Sequence, residues 1–315
     1  NDISATAYAM RGTCYYQLMR LYCEMPSSTD LNSQVGVPLV TTFDMEDQPT
    51  RSTLEATIYQ IESDLEKSIS YHSTKDIYRF TEDVARGYQA RLYFWTGQWS
   101  KALPLAKELL IKYPLLEGDA YKSMMTNLSE QTGNQLLKSN REMSTGGSSD
   151  LSHRLSLIKM CPISQRFLSG FTSEEKETDI RYKLWVNKKR QSEKTIFCGM
   201  RTAEFKLIEA ECYYHLGETD NALKSINELR SKRISNYTNL TMADLSLPSD
   251  KELIKVDAEG KTLTPLIGLI LQERRKELFL EGDRFYELKR NGSPVRWTIY
   301  NGLKFERSEE RRVGK

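Results

Sequence analysis

The stretch VARGYQARLYFWTGQWSKALPLAKELLIKYP, residues 84–114, decides how the rest of the chain is read. Ala85, Tyr88, Leu92 and Trp95 recur every three or four residues and therefore share one face of a helix. Gly97 interrupts that helix. Ala102, Leu105, Ala106, Leu109 and Tyr113 form the apolar face of a second one, which ends at Pro114. The pattern predicts two antiparallel helices joined by a tight turn, with the small Ala102 where the backbones approach. Pro104 departs from it, because a proline ring and its missing amide are tolerated only in a helix's first turn.

The same spacing recurs downstream. Ala210, Tyr213, Gly217, Ala222, Leu223 and Leu229 repeat the positions of Ala90, Tyr93, Gly97, Ala102, Leu103 and Leu109. Small residues, Tyr and Gly at these helix-packing positions resemble the tetratricopeptide pattern. Consecutive repeats of that kind stand about 34 residues apart, so a much longer separation predicts an irregular insert, residues 116–199. Its Gly/Ser run Ser144 to Ser149 and charged stretch Glu174 to Lys194 read as loops and short helices laid across the scaffold. The expected fold is all-α: tetratricopeptide-like helical hairpins with an irregular, loop-rich insert. The expected organisation is a single domain over 1–315, with scaffold at 1–115 and 200–292, insert at 116–199 and a charged tail at 306–315.

Outward from the hairpins, Asn1 to Tyr22 reads as a helix that stops before Pro26, and Val35 to Val40 as a tethered apolar piece within a polar loop. Ser52, with Glu55 three residues on, predicts the cap of a helix carrying Ile58, Ile61, Leu65 and Ile69. Tyr237 to Gly260 reads as another polar loop. Thr264 and Pro265 open a further helix, on which Arg274 stands among apolar residues with Glu277 and Glu281 in reach; Gly282 breaks it and Asp283 can cap the next.

Composition narrows the function. Lys+Arg 45 against Asp+Glu 43, well interleaved, argues against a nucleic-acid partner. No apolar run approaches the roughly 20 residues of a membrane span, and no targeting signal is visible at Asn1 to Ala9. Cys14, Cys23, Cys161, Cys198 and Cys212 are scattered and odd in number, which predicts buried free thiols rather than disulfides or zinc. Neither a nucleophile elbow nor a phosphate-binding glycine loop occurs, and His72, His153 and His215 have no metal spacing, so no metal or cofactor is expected. Asp44, Glu46 and Asp47 offer oxygens for calcium or form a solvated acidic loop. Glu277 and Glu281 are the nearest pair for two-carboxylate glycoside hydrolysis; ion pairs to Arg274, Arg275 and Arg284 explain them at lower cost.

Candidate ligand contacts are aromatic, because a ring covers the C–H face of a pyranose while neighbouring polar groups bind its hydroxyls. Tyr71 and Tyr78 lie with Phe80 in a connector between helices, and Trp185 and Trp297 in irregular or terminal segments. Trp95 and Trp99 flank the hairpin turn and read as packing residues.

The segment Glu273-Arg274-Arg275-Lys276-Glu277-Leu278, continuing through Glu281-Gly282-Asp283-Arg284-Phe285-Tyr286-Glu287-Leu288-Lys289-Arg290, resembles the C-terminal signature of the SusD/RagB family of outer-membrane nutrient-binding lipoproteins. Gly36 to Val40, Asp64-Leu65-Glu66, Asp179 to Tyr182, Ala203-Glu204 and Ile226 to Arg230 match in the same order. The resemblance implies a structural role for Arg274, Arg275, Glu277, Glu281, Gly282 and Arg284. It implies a surface-exposed, non-enzymatic protein that captures oligosaccharide or polysaccharide and passes it to a SusC-like TonB-dependent transporter. It further implies a chain truncated at both ends, whose membrane contact is an N-terminal lipid anchor lying outside it. A soluble tetratricopeptide-type scaffold binding a peptide or protein is the alternative that the hairpin spacing alone allows.

Overall fold

A computed structural model describes residues 1–26, 30–42, 44, 46, 48–74, 79–127, 131–138, 158, 160–194, 196–249 and 252–292, and the backbone of 295–300 and 304–309. The chain opens with α1 (Asp2–Tyr22), followed by strands β1 (Val35–Pro38) and β2 (Arg51–Thr53). Helices α2 (Leu54–Ile69), α3 (Glu82–Trp95) and α4 (Trp99–Lys112) come next. The insert holds α5 (Gly118–Thr126), β3 (Gln135–Lys138) and the short helices α6 (Gln165–Leu168), α7 (Ser173–Thr178) and α8 (Ile180–Trp185). After β4 (Gly199–Arg201) run α9 (Thr202–His215), α10 (Thr219–Ser231), α11 (Pro265–Glu277) and α12 (Asp283–Arg290), then β5 (Val295–Tyr300) and β6 (Lys304–Glu309).

Gly97 and Gly217 both adopt the left-handed conformation, φ +71° and +82°, and close the α3–α4 and α9–α10 hairpins at matching positions. Distant in sequence, the two hairpins touch in space. α1 packs on α2, α2 on α3, α3 on α4, α4 on α9, and α9 on both α10 and α11. Ala102 and Ala106 are fully buried on α4, which allows that close approach. Trp99, at one hairpin turn, stacks on His215 at the other, 4.2 Å between ring centres.

The central element is α9. Phe205, Ile208 and Cys212 enter the core shared with α1–α4, whereas Ala203, Leu207 and Ala210 enter the core of α10 and α11. A helix buried on nearly every side must neutralise its charges. Glu211 pairs with Arg290 of α12 at 2.6 Å, and Lys206 with Glu209 and Glu228 at 2.5 and 2.7 Å. Burial works to raise the Glu211 carboxyl, but Arg290 and then His215 outweigh it and bring the pKa down to about 2.

Several local expectations shift. Thr53, not Ser52, caps α2, because the Ser52 hydroxyl is taken by the Val37 carbonyl at 2.8 Å. Gly282, not Asp283, holds the position before α12, and Asp283 is drawn to Arg274 instead. Pro104 is the sixth residue of α4 and solvent-exposed, so the helix continues through it. Cys14, Cys161 and Cys198 are exposed; only Cys23 and Cys212 are the buried thiols expected of all five. Short antiparallel ladders appear within the mostly helical fold: β1 on β2, β3 on β4 and β5 on β6, the last spanning part of the expected charged tail.

The insert is tied to the scaffold by a buried ionic network. Glu277 of α11 receives Arg201 at 2.6 Å, Arg233 at 3.0 Å and Arg181 of α8 at 3.2 Å. One turn earlier, Glu273 receives Arg230 at 2.5 Å and Arg181 at 2.8 Å. Asp179 chelates Arg181, and Glu175 of α7 meets Arg230 and Lys276. Glu281 holds Arg201 and Lys194, whose ammonium burial pushes down to about 8 despite that carboxylate. Against burial, Arg233, Arg201 and Arg181 keep Glu277 far below the usual carboxylate range. The partners expected for Glu277 and Glu281 are thus corrected: Arg274 pairs with Asp283, Arg275 with Glu252 and Arg284 with Glu287. Guanidiniums arriving from other segments displace the neighbours on the same helix.

Three outcomes follow from this packing. A Cβ on Gly36 would lie 2.2 Å from Thr57 Oγ1 and 2.3 Å from the Thr53 carbonyl oxygen. Gly36→Ala should cost about 1–3 kcal/mol, read as a lower urea midpoint at unchanged slope. Glu277→Gln keeps the shape but removes the charge facing three guanidiniums, and should cost about 3–5 kcal/mol in the same measurement. For Glu211, whose folded pKa lies below the ordinary 4.5, the stabilisation is complete above pH 4.5 and drains away as the pH falls towards 2. Melting curves between pH 7 and pH 2.5 should show that loss, roughly 3 kcal/mol for this group, and Glu211→Gln should flatten it.

Candidate functional site

Of the aromatic residues expected to meet ligand, Tyr71 is the one with both a described side chain and solvent access. It follows α2 in a turn, and its ring stacks on Tyr8 of α1, 6.2 Å between centres with an interplanar angle of 20°. Tyr8, on which Tyr71 stacks, borders a shallow cleft of about 490 Å³ along the α1–α2 seam, lined also by Arg11, Gln60, Asp64 and Lys67. Arg11 grips Asp64 through two hydrogen bonds, 2.6 and 2.9 Å, and Gln60 donates to the same carboxylate at 3.0 Å. The Arg11 guanidinium lies 5.4 Å from the Tyr8 ring centre, and Lys67 Nζ 5.8 Å from that of Tyr71.

Helical periodicity explains why these groups converge. Asp64 sits on the buried face of α2, so its carboxylate meets α1, where Tyr8 and Arg11 are three residues apart and share a flank. Its hydrogen bonds to Asp64, first among the causes, raise the Arg11 guanidinium. The result is a ring pair beside fixed donors and acceptors, an arrangement suited to a sugar's apolar face and hydroxyl rim. Tyr8, Arg11 and Gln60 escaped sequence reading. The available signal was the position of Tyr8 and Arg11 off the α1 core stripe of Ala5, Ala9, Tyr16 and Met19.

The other candidates fare differently. Trp185 is corrected: only 2% exposed, it ends α8 against Phe279, with Lys194 Nζ 4.2 Å from its ring, and offers no face to a ligand. Tyr78 lies outside the described residues, as does the side chain of Trp297, whose backbone is in β5. Phe80 packs on Tyr88, ring centres 6.5 Å apart. Asp47 also lies outside the described residues; Asp44 accepts the Glu46 amide at 2.9 Å, and no cluster able to hold a metal occurs among the described residues. Glu277 is fully buried under three arginines, which removes it as a proton donor to a glycosidic bond. Because α4 lies on α9, that face of the first hairpin is not offered to a peptide.

Arg275 and Arg284 line a second cleft of about 460 Å³, together with other residues of α11 and with residues 240, 244–249, 252 and 254. Phe167 and Gly170 line it as well.

With this geometry in view, comparison with known proteins is informative. A sequence model of the SusD family matches residues 168–311, and one described as starch-binding, associating with the outer membrane, matches residues 1–94. No curated protein matches the chain. Among solved structures, the chain is similar to a SusD-like carbohydrate binding protein from Bacteroides vulgatus, with 20% identity and TM-score 0.65 over 97% of this chain and 69% of that one. A SusD superfamily protein from Bacteroides thetaiotaomicron gives 22% and 0.69 over 96% and 72%, and another from Bacteroides vulgatus 21% and 0.72 over 92% and 67%. Two family matches in chain order, on a helical frame shared with these structures, lead to one conclusion: the chain belongs to the SusD family.

Proposed function

We propose that this protein captures an oligosaccharide or polysaccharide at the outer-membrane surface, held there by a lipid anchor, and delivers it to a SusC-like TonB-dependent transporter without cleaving it. The observation that carries the reading is the match of residues 1–94 to a starch-binding, outer-membrane description in a chain that also carries the SusD match. The α1–α2 seam supports it from within that segment, because the Tyr8–Tyr71 ring pair beside Arg11, Asp64 and Gln60 supplies both kinds of contact a sugar needs. Binding here uses side chains whose polar partners are already fixed, so little ordering is required when a sugar arrives.

Two measurements test the proposal. Titration of the protein with a panel of neutral oligosaccharides should give binding, and Tyr71→Ala should weaken it about tenfold while the melting temperature stays near that of the parent. Expression of the native gene in its own host should co-purify a β-barrel transporter. Absence of binding across the panel together with absence of the transporter would sink the proposal.

A further inference from the structure

Residues 180–194 sort their cations by direction. Arg181 and Lys194 turn inward and are paired, Arg181 with Asp179, Glu273 and Glu277, and Lys194 with Glu281. Lys183, Lys188, Lys189 and Arg190 turn outward. All four are exposed, and among the described residues none of their side chains has a hydrogen-bond or ion-pair partner. Glu193, the acid nearest in sequence to Lys188, Lys189 and Arg190, is held by Asn187 Nδ2 at 2.8 Å.

The three consecutive cations stand on a firm support. The Arg190 amide donates to the Asn187 carbonyl at 2.9 Å, closing a tight turn, and the Asn187 side-chain oxygen accepts the amides of Lys189 and Gln191, both at 2.9 Å. Behind the turn Val186 pairs with Ser192, and Gln191 with Pro162, two residues beyond Met160, which is 64% exposed. Small ligands bind in concave sites, and none of the four outward cations lines either of the two clefts. A projecting turn of this kind suits a charged plane better than a single sugar chain. Acids and bases are nearly balanced over the whole molecule, at a formal +2, so the attraction is local to this patch.

We propose that the turn carrying Lys188, Lys189 and Arg190, with Lys183 on the helix α8 that leads into it, is a contact for an anionic lipid surface, its cations meeting headgroup phosphates. A basic side chain close to such a surface is worth about fivefold in affinity, so a few of them act together without any pocket. The inference rests on the outer-membrane placement of the proposed function. It adds to the lipid anchor a second attachment, one that sets how the tethered protein faces the membrane.

Flotation of the purified chain, carrying no lipid, with vesicles of phosphatidylglycerol and phosphatidylcholine or of phosphatidylcholine alone tests it. The mixed vesicles should bind the protein, the neutral ones should not, and raised salt should release it. Lys188→Gln/Lys189→Gln should lose about tenfold or more. Lys122→Gln/Lys224→Gln, which removes the same charge from exposed positions elsewhere, should bind like the parent. Lys188→Glu, a reversal at one exposed position, carries the test if the double variant fails to fold. Equal binding to both kinds of vesicle, parental binding in the turn variants, or an equal loss in the matched variant overturns the proposal. So does binding of soluble polygalacturonate through the turn while vesicles fail, which would make the partner an acidic polysaccharide. No glycan enters the vesicle assay, so a failure of neutral-glycan binding defeats the capture reading without deciding this one.

Discussion

Glu273 and Glu277 stand one turn apart on α11 with both carboxylates buried, and the arginines that neutralise them come from α8, β4, α10 and the turn that follows it. Taking so many charges out of water costs several kcal/mol per ion. The arrangement holds because nearly every carboxylate oxygen has a guanidinium or ammonium partner. Glu175, Asp179, Glu273, Glu277 and Glu281 face Arg181, Lys194, Arg201, Arg230, Arg233 and Lys276. An ionic lock of this kind is more demanding than an apolar one. A shifted insert would leave Arg181 buried without its acids, so the position of residues 175–194 on α11 is strongly specified.

The hairpins were readable because their information is local. Periodicity places apolar residues on a face, and glycine marks the position needing φ > 0, so α3, α4, α9 and α10 follow from spacing alone. The insert was harder. Arg181 and Glu273 are 92 positions apart, and nothing in either neighbourhood names the other. Residues 174–194 therefore read only as loops and short helices laid across the scaffold, although Asp179 and Arg181 among them are fully buried.

The same limit explains the aromatic candidates. A tryptophan in a charged, aperiodic stretch looks exposed; Trp185 is buried because the surrounding charges turn inward and Lys194 covers its ring. Tyr71 read correctly as a reachable connector residue, but its partner Tyr8 is on a helix 63 residues earlier, and only tertiary packing of α1 on α2 brings the two rings together. The signature residues divide in a way that no linear motif shows. Glu277 and Glu281 belong to the lock, Arg274 ties α11 to α12, and Arg275 and Arg284 look outward into a cleft.

That division separates stability from recognition. Arg181, Glu273 and Glu277 at the centre of the lock have no exposure, so a ligand could reach them only by opening the fold. Groups at the two clefts are partly exposed and anchored at one end: Arg11 by Asp64, Arg275 by Glu252. Such anchoring fixes a side chain's direction while leaving donors or ring faces for something else. The hairpin frame and the lock thus do related work, since a site made of anchored side chains is only as well organised as the helices that carry the anchors. Asp64 is buried on α2, and α11 is pinned through Glu273 and Glu277. Loosening the lock should therefore blur the α11 cleft before it affects the α1–α2 seam, which rests on a different core.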